Sequence, residues 1–375
     1  MIVMNFKLDN MFSFNNFEMN FSYPKKIVNS SIQNEYLETK PNFRYKKVNI
    51  LMGANASGKT SIGKALMSIF NFLSKKEISR VEQYIREKEK EAYFSIDFLV
   101  NEEKLYRVEC KILFEKTVDL EVYSSKILKG DSYESCVEKL KKIEKEDLKN
   151  IEIVEKESAD YIRKLSVLPS FGWLFTFPEN GAKATLLIDD DEIMNIKVLK
   201  AVLETLDTCI TDVVKSTEVE NSYIIRTKNG DIFVQNGEIV KQNILSSGTR
   251  VGLDIAYVIS SICKNSHGFY YCDEKFSYIQ SDVEQTILSL MIELLSPKAQ
   301  LFFTSHNLDL LEMNLPIHSF NFLRKKDEIE IIYPSDYIQK NDKSLRNAVK
   351  NDIFDIAPNI NSILELEGVC FNGEE

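Results

Sequence analysis

Between residues 1 and 23 large apolar side chains (Phe12, Phe14, Phe17, Met19, Phe21) alternate with polar ones. A period near two predicts strands with one buried face. The polar stretch from Asn29 to Pro41 interrupts the pattern, and the apolar run Val48-Asn49-Ile50-Leu51-Met52 then predicts a buried strand. Shortly after it, Ile62, Leu66, Ile69 and Leu73 recur at helical spacing. Lys75 to Glu91 mixes both charges and is expected to be a solvated helix or connector. Two strand-like runs follow, Tyr93 to Val100 and Leu105 to Leu113, joined by the polar turn Asn101-Glu102-Glu103-Lys104. A third run, Val118 to Tyr123, completes an expected antiparallel meander.

From Val137 to Leu165 the composition shifts to Lys and Glu, with Leu140, Ile143, Leu148, Ile151 and Leu165 roughly on one helical face. This predicts a helical arm or cap whose charges face solvent. The single tryptophan, Trp173, is expected to be a buried anchor. Asp189-Asp190-Asp191 precede the helical pattern Ile193, Ile196, Leu199, Val202, Leu203 and Leu206, a position that suits a helix N-terminus better than a metal cluster. Strands return at Val213-Val214 and Tyr223 to Arg226, with hairpin signals at Asn229-Gly230 and Asn236-Gly237. An apolar helix (Leu253 to Ile262), a buried strand (Gly268 to Glu274), a crossover helix (Asp282 to Leu295, stopped by Pro297) and another buried strand (Gln300 to His306) come next. Strand, helix, strand in this rhythm predicts parallel pairing and an α/β core. Phe320 to Leu323 and Ile329 to Tyr333 read as one more strand pair, followed by a short helical finish.

Composition changes this picture little. The 375 residues suffice for one large domain or two ordinary ones, and 44% hydrophobic with 28% charged residues is a globular balance. With no long apolar run and no basic-then-apolar leader, the expected location is the cytoplasm, away from membranes. Six scattered cysteines, without Cys-x-x-Cys spacing, are expected to be buried thiols. A formal charge of −10 argues against a surface that coats nucleic acid throughout, while a local basic groove stays open.

Chemistry enters at Gly53-Ala54-Asn55-Ala56-Ser57-Gly58-Lys59-Thr60, which lies between the predicted strand and helix. That is the context a phosphate-binding loop requires. Gly53 and Gly58 let the backbone wrap closely, amides around Asn55, Ala56 and Ser57 point partial positive charge inward, Lys59 neutralises phosphate and the Thr60 hydroxyl ligates Mg²⁺. Asp273 and Glu274 end an apolar strand, where a carboxylate projects from the C-terminal edge of a parallel sheet. Asp273 is expected to share Mg²⁺ with Thr60, and Glu274 to orient or deprotonate the attacking water of ATP. His306 ends the next buried strand beside Thr304 and Ser305, a placement suited to a γ-phosphate contact. His267 and His318 have no comparable context.

Ser246-Ser247-Gly248-Thr249 opens the helix about two hundred residues after Lys59 and offers a second anion site. The order of phosphate loop, Ser-Ser-Gly-Thr, Asp-Glu strand end and strand-end His resembles the ABC-type ATPases, and within them the AAA_15/AAA_21 branch related to overcoming-lysogenisation-defect and abortive-infection ATPases. Leu8-Asp9-Asn10-Met11-Phe12-Ser13-Phe14 resembles that branch's opening pattern. The segment Lys275 to Gln280 and Asn307 depart from it, in regions that lie near the inter-subunit contact of the family. Gln83 is a candidate for its Gln loop. The residues after His306 are too few, and lack the acidic set, for the TOPRIM nuclease domain of the larger relatives.

The resemblance implies an α/β, ABC-type P-loop ATPase head with a mixed sheet and an antiparallel β subdomain. One lobe covers 1–130, a helical insertion subdomain 131–210, and a second lobe 211–375 carries signature, Asp-Glu and switch His. It implies ATP and Mg²⁺, an ATP-bridged dimer of this chain with higher oligomers left open, a separately encoded effector, nucleic acid as an open further partner, and a setting in prokaryotic anti-phage defence. A DNA-binding repair or chromosome-maintenance ATPase is the rival, disfavoured by the acidic balance and the lack of a long coiled-coil arm. A transporter ATPase fits the signature spelling poorly.

Overall fold

Five parallel strands carry the molecule's centre in the computed structural model, which describes residues 1–27, 30–143, 159–178, 183–185, 193–216, 219, 222–235, 238–239, 247–276, 279–338, 344–357 and 363–364. The central sheet has the order β11 (Lys183–Thr185), β10 (Trp173–Thr176), β16 (Phe269–Asp273), β17 (Gln300–Thr304), β5 (Val48–Gly53), β18 (Phe320–Lys325) and β19 (Ile329–Ile332). Strands β10 to β18 of that order pair in parallel, and the two outermost strands pair antiparallel. Short, nearly continuous apolar runs form such strands because both faces are covered. Leu51, Tyr271 and Phe302 point into one core, while Ile50, Met52, Tyr270, Cys272, Leu301 and Phe303 point into the other.

The first core lies between the sheet, helix α1 (Lys59–Lys75) and a second, antiparallel sheet. That sheet runs β2 (Phe17–Asn20), β1 (Ile2–Asp9), β6 (Ala92–Leu99), β7 (Lys104–Leu113), β8 (Thr117–Lys126) and β9 (Lys141–Lys142), which contains the expected meander. Phe70 of α1 meets the rings of Phe171, Phe175 and Phe269 edge-on, at 5.7, 5.8 and 4.9 Å between centroids. Each such ring, fully buried, contributes about 1.5–3 kcal/mol relative to exposure. A short pair, β3 (Tyr36–Leu37) and β4 (Lys40–Arg44), precedes β5, and α2 (Ser79–Glu82) follows α1. The second core joins the other face of the central sheet to α5 (Ile196–Leu206), α6 (Ser247–Cys263) and α7 (Ser281–Leu294). It also takes in a four-stranded antiparallel sheet, β12 (Ile210–Lys215) to β13 (Ser222–Thr227), β14 (Gly230–Gln235) and β15 (Glu238–Ile239).

Two features differ from expectation, the first for a physical reason. Segment 131–210, expected as a helical insertion, holds α3 (Tyr133–Glu138), α4 (Asp160–Leu165) and α5, yet also supplies β9 to the antiparallel sheet and β10 and β11 to the central sheet. The run Trp173-Leu174-Phe175-Thr176 is buried throughout and pairs with β16, because it is apolar on both faces. Cys110, Cys136 and Cys272 are buried as expected, but Cys209 is half-buried and Cys263 is exposed at the last turn of α6. Ser246, Asp189 to Asp191, Asn236-Gly237, Leu148, Ile151 and Cys370 lie outside the described residues. Among the described residues no helix is long and apolar enough to cross a membrane.

Candidate active site

The parallel pairing brings three strand ends to one edge, since β17 lies between β5 and β16. The loop from Gly53 to Gly58 leaves the end of β5 and starts α1 at Lys59. A Cβ at Gly53 would stand 2.4 Å from the Leu323 carbonyl oxygen and 2.7 Å from Ser57 Oγ, so only hydrogen fits. Gly58 holds φ +106°, a left-handed conformation that side chains disfavour. Ser57 Oγ is buried and has no hydrogen-bond partner among the described residues. A buried hydroxyl without a partner, inside a cradle closed to any Cβ, fits a phosphate oxygen.

Lys59 is 3% exposed and turns back on the loop, donating to the carbonyls of Gly53 at 2.9 Å and Ala54 at 3.2 Å. Its Nζ lies 3.3 Å from Glu274 Oε1. Burial pulls the Lys59 ammonium below its ordinary pKa, and Glu274 and then Asp273 act against that pull. Tyr271 of β16 ties the start of α1 to the sheet by donating its hydroxyl to the Lys59 carbonyl at 2.7 Å.

Asp273 is fully buried and takes its hydrogen bonds from hydroxyls: Thr60 Oγ1 at 2.6 Å and Thr304 Oγ1 at 2.8 Å. Burial raises its pKa, and the two threonines partly offset this. Thr60 and Asp273 are hard oxygen donors in direct contact, a set that suits Mg²⁺, which keeps one or two protein ligands and takes the rest from phosphate and water. Among the described residues no group of three His, Cys, Asp or Glu could hold a metal by itself. A site completed by a nucleotide does not need one.

Glu274 follows at φ 43°, a left-handed conformation unusual for a side chain of this size, and its N–H donates to Thr304 Oγ1 at 2.9 Å. The bend turns its carboxylate along the sheet edge, where Oε1 lies 2.7 Å from His306 Nε2. The bond to His306 lowers the Glu274 pKa most, and Lys59 adds to the effect.

Lys59, Thr60, Asp273, Glu274 and His306 are thus gathered at one edge. Asn55 and Ala56 lie in the same loop, Ala56 at φ 60°. Ser247, Gly248 and Thr249 open α6, which packs against α5 and α7 within the chain. Gln83 is exposed at the end of α2 and donates to the Arg80 carbonyl at 3.1 Å. Sequence reasoning missed the hydroxyl of Tyr271 and a buried carboxylate, Glu284. Their side chains carry no signal until the helix or strand beside them is placed. Two cavities of about 1000 and 1040 Å³ lie elsewhere, one beside His318 and one beside α7. A loop that grips phosphate with backbone amides needs no deep cavity.

No family profile and no curated protein matches the chain. Solved structures that align with it include the Smc head bound to the C-winged helix domain of ScpA, at 12% identity over 90% of this chain and 100% of that one, with a TM-score of 0.49. The SMC head domain from Thermotoga maritima aligns at 13% identity over 89% and 99%, with a TM-score of 0.42. The recombination mediator protein RecF with ATP aligns at 11% over 88% and 97%, with a TM-score of 0.39. At such identities and scores nothing about activity passes from them to this chain.

Proposed function

We propose that the chain is an ABC-type ATPase that works as an ATP-driven dimerisation switch. The observation that supports this most is the meeting of the phosphate loop, Asp273, Glu274 and His306 at one sheet edge, from segments more than two hundred residues apart in the chain. Backbone amides of the loop and Lys59 take the β- and γ-phosphates, whose charge replaces the carbonyl and carboxylate contacts that Lys59 makes here. Thr60 and Asp273 hold Mg²⁺, which when bound neutralises charge on the transferring phosphoryl group. Glu274 accepts a proton from, or aligns, the attacking water, and His306 donates to the γ-phosphate while keeping Glu274 in place.

The second anion site at Ser247-Gly248-Thr249 starts a different helix, and is most useful if it meets the γ-phosphate held by another copy. Two heads would then close around shared ATP. The motif resemblance supports a role as sensor or regulator of a separately encoded effector in anti-phage defence.

Mixing two dead variants tests the whole reading. Lys59→Ala removes the charge that compensates phosphate, and Gly248→Asp places a carboxylate and a Cβ where phosphate must approach. Each alone is expected to lack ATPase activity, while their mixture regains activity through one intact composite site per heterodimer. If heterodimers form and stay inactive, the shared-site arrangement is wrong or the two sites must fire together. Wild-type ATP affinity in Lys59→Ala would overturn the loop assignment itself. Hydrolysis stimulated by DNA, without an effector that co-purifies, would favour the repair-type rival.

A further inference from the structure

Both residues that flank His306 are held from behind by one carboxylate. Glu284, near the start of α7, is 3% exposed, and each of its oxygens is used. Oε1 accepts from Ser305 Oγ at 2.8 Å, and Oε2 accepts from Asn307 Nδ2 at 2.8 Å. The clamp continues outward. Asn307 Nδ2 also donates to Ser281 Oγ at 2.8 Å, and Ser281 donates to Asp309 Oδ2 at 2.7 Å. The Asn307 N–H donates to Ser305 Oγ at 3.0 Å, and Asn307 Oδ1 caps the turn at Leu308–Glu312 by accepting from the Asp309 N–H at 2.9 Å.

An apolar side chain would fill this place at lower desolvation cost, because a buried carboxylate must be compensated by good hydrogen bonds. Burial raises the Glu284 pKa, and the bonds from Asn307 and Ser305 act against it. What the carboxylate adds over an apolar group is direction: two acceptors that fix the backbone on either side of His306. We propose that Glu284 is a positioning residue that, through Ser305 and Asn307, holds the His306 imidazole against Glu274. The proposal rests on reading this site as an ATPase, but the placement of His306 can be followed without turnover.

Glu284→Ala is expected to lower kcat by roughly ten- to a hundredfold while KM for ATP stays within about threefold, since the phosphate loop is untouched. The chain has only three histidines, so the imidazole signal of His306 can be assigned by its loss in His306→Asn. In Glu284→Ala that NMR signal should shift or broaden, while those of His267 and His318 hold still. Asn307→Asp sets two carboxylates face to face and should lower kcat similarly. Combining it with Glu284→Gln reverses donor and acceptor, and should restore kcat to within about threefold of wild type. Because Glu284→Gln is isosteric, it serves also if the alanine variant does not fold. An unmoved His306 signal, or a double variant no better than Asn307→Asp alone, overturns the proposal. A moved signal in a chain whose wild type hydrolyses no ATP would uphold the clamp and sink the ATPase reading instead.

Discussion

Asp97 of the antiparallel sheet and Asp273 of the parallel sheet are both fully buried, yet their surroundings differ in kind. Asp97 is closed off within the chain: Arg107 Nε and one terminal guanidinium nitrogen donate to its two oxygens at 2.7 Å each, and the Tyr133 hydroxyl adds a third bond at 2.6 Å. Asp97 in turn pushes the Arg107 pKa up. Asp273 is bonded by two hydroxyls, and burial leaves its carboxyl easier to protonate. A carboxylate paired bidentately by its own chain is structural. One bonded only by hydroxyls has the chemistry that the proposed Mg²⁺ site needs.

The largest break in this comparison should come from Arg107→Met, which leaves Asp97 buried without its cation. A loss of about 3 kcal/mol in unfolding stability is expected, at the low end of the range for broken buried pairs because Arg107 is itself partly exposed. An unchanged urea midpoint would mean that Asp97 does not need its partner.

Asp273→Asn should do the opposite. If Asp273 holds Mg²⁺ as proposed, hydrolysis is expected to fall by roughly a hundredfold or more, while stability stays level or rises because a buried charge is gone. The pH dependence separates it from its neighbour. The Asp273 pKa is raised above 3.8, so its contribution is fully present below that value and is lost as pH rises through the folded pKa. Relative to wild type, Asp273→Asn should therefore gain stability as pH rises from about 4. Glu274 is shifted down from 4.5, so its contribution is present above that value and is lost as pH falls through the folded pKa. Relative to wild type, Glu274→Gln should gain as pH falls. Denaturation midpoints of the three proteins across this window decide the matter, and parallel trends would refute the contrast.

The smallest effect is expected at Gly58. Alanine there must adopt φ +106°, while its Cβ comes within 2.9 Å of the flexible end of Ile329 and meets the Phe14 ring at an ordinary 3.5 Å. A loss of about 1–2 kcal/mol is expected, together with weaker ATP binding from a reshaped loop. Thermal unfolding and nucleotide titration of Gly58→Ala would show it.

Much of this site was legible before any coordinates. Gly53 to Thr60 announces itself because strand, loop and helix N-terminus are consecutive in the chain, and Asp273, Glu274 and His306 each end an apolar run. The clamp by Glu284 was hidden because its spacing on α7 is ordinary; only the approach of Ser305 and Asn307 gives it meaning. The run from Trp173 to Thr176 stood out as apolar, but its place in the sheet depends on β16, about ninety-five residues later.

By itself the sequence determined the local elements, the candidate phosphate loop and the candidate chemistry around it, since periodicity and motif spacing act within windows of a few turns or one strand. The tertiary structure alone decided that β17 lies between β5 and β16, and so that Thr304 meets Asp273 and His306 meets Glu274. It also decided which buried aspartate is closed by an arginine and which is left to hydroxyls. The reason is physical: strand order and buried charge pairing arise from contacts between segments far apart in the chain, and no local pattern specifies them.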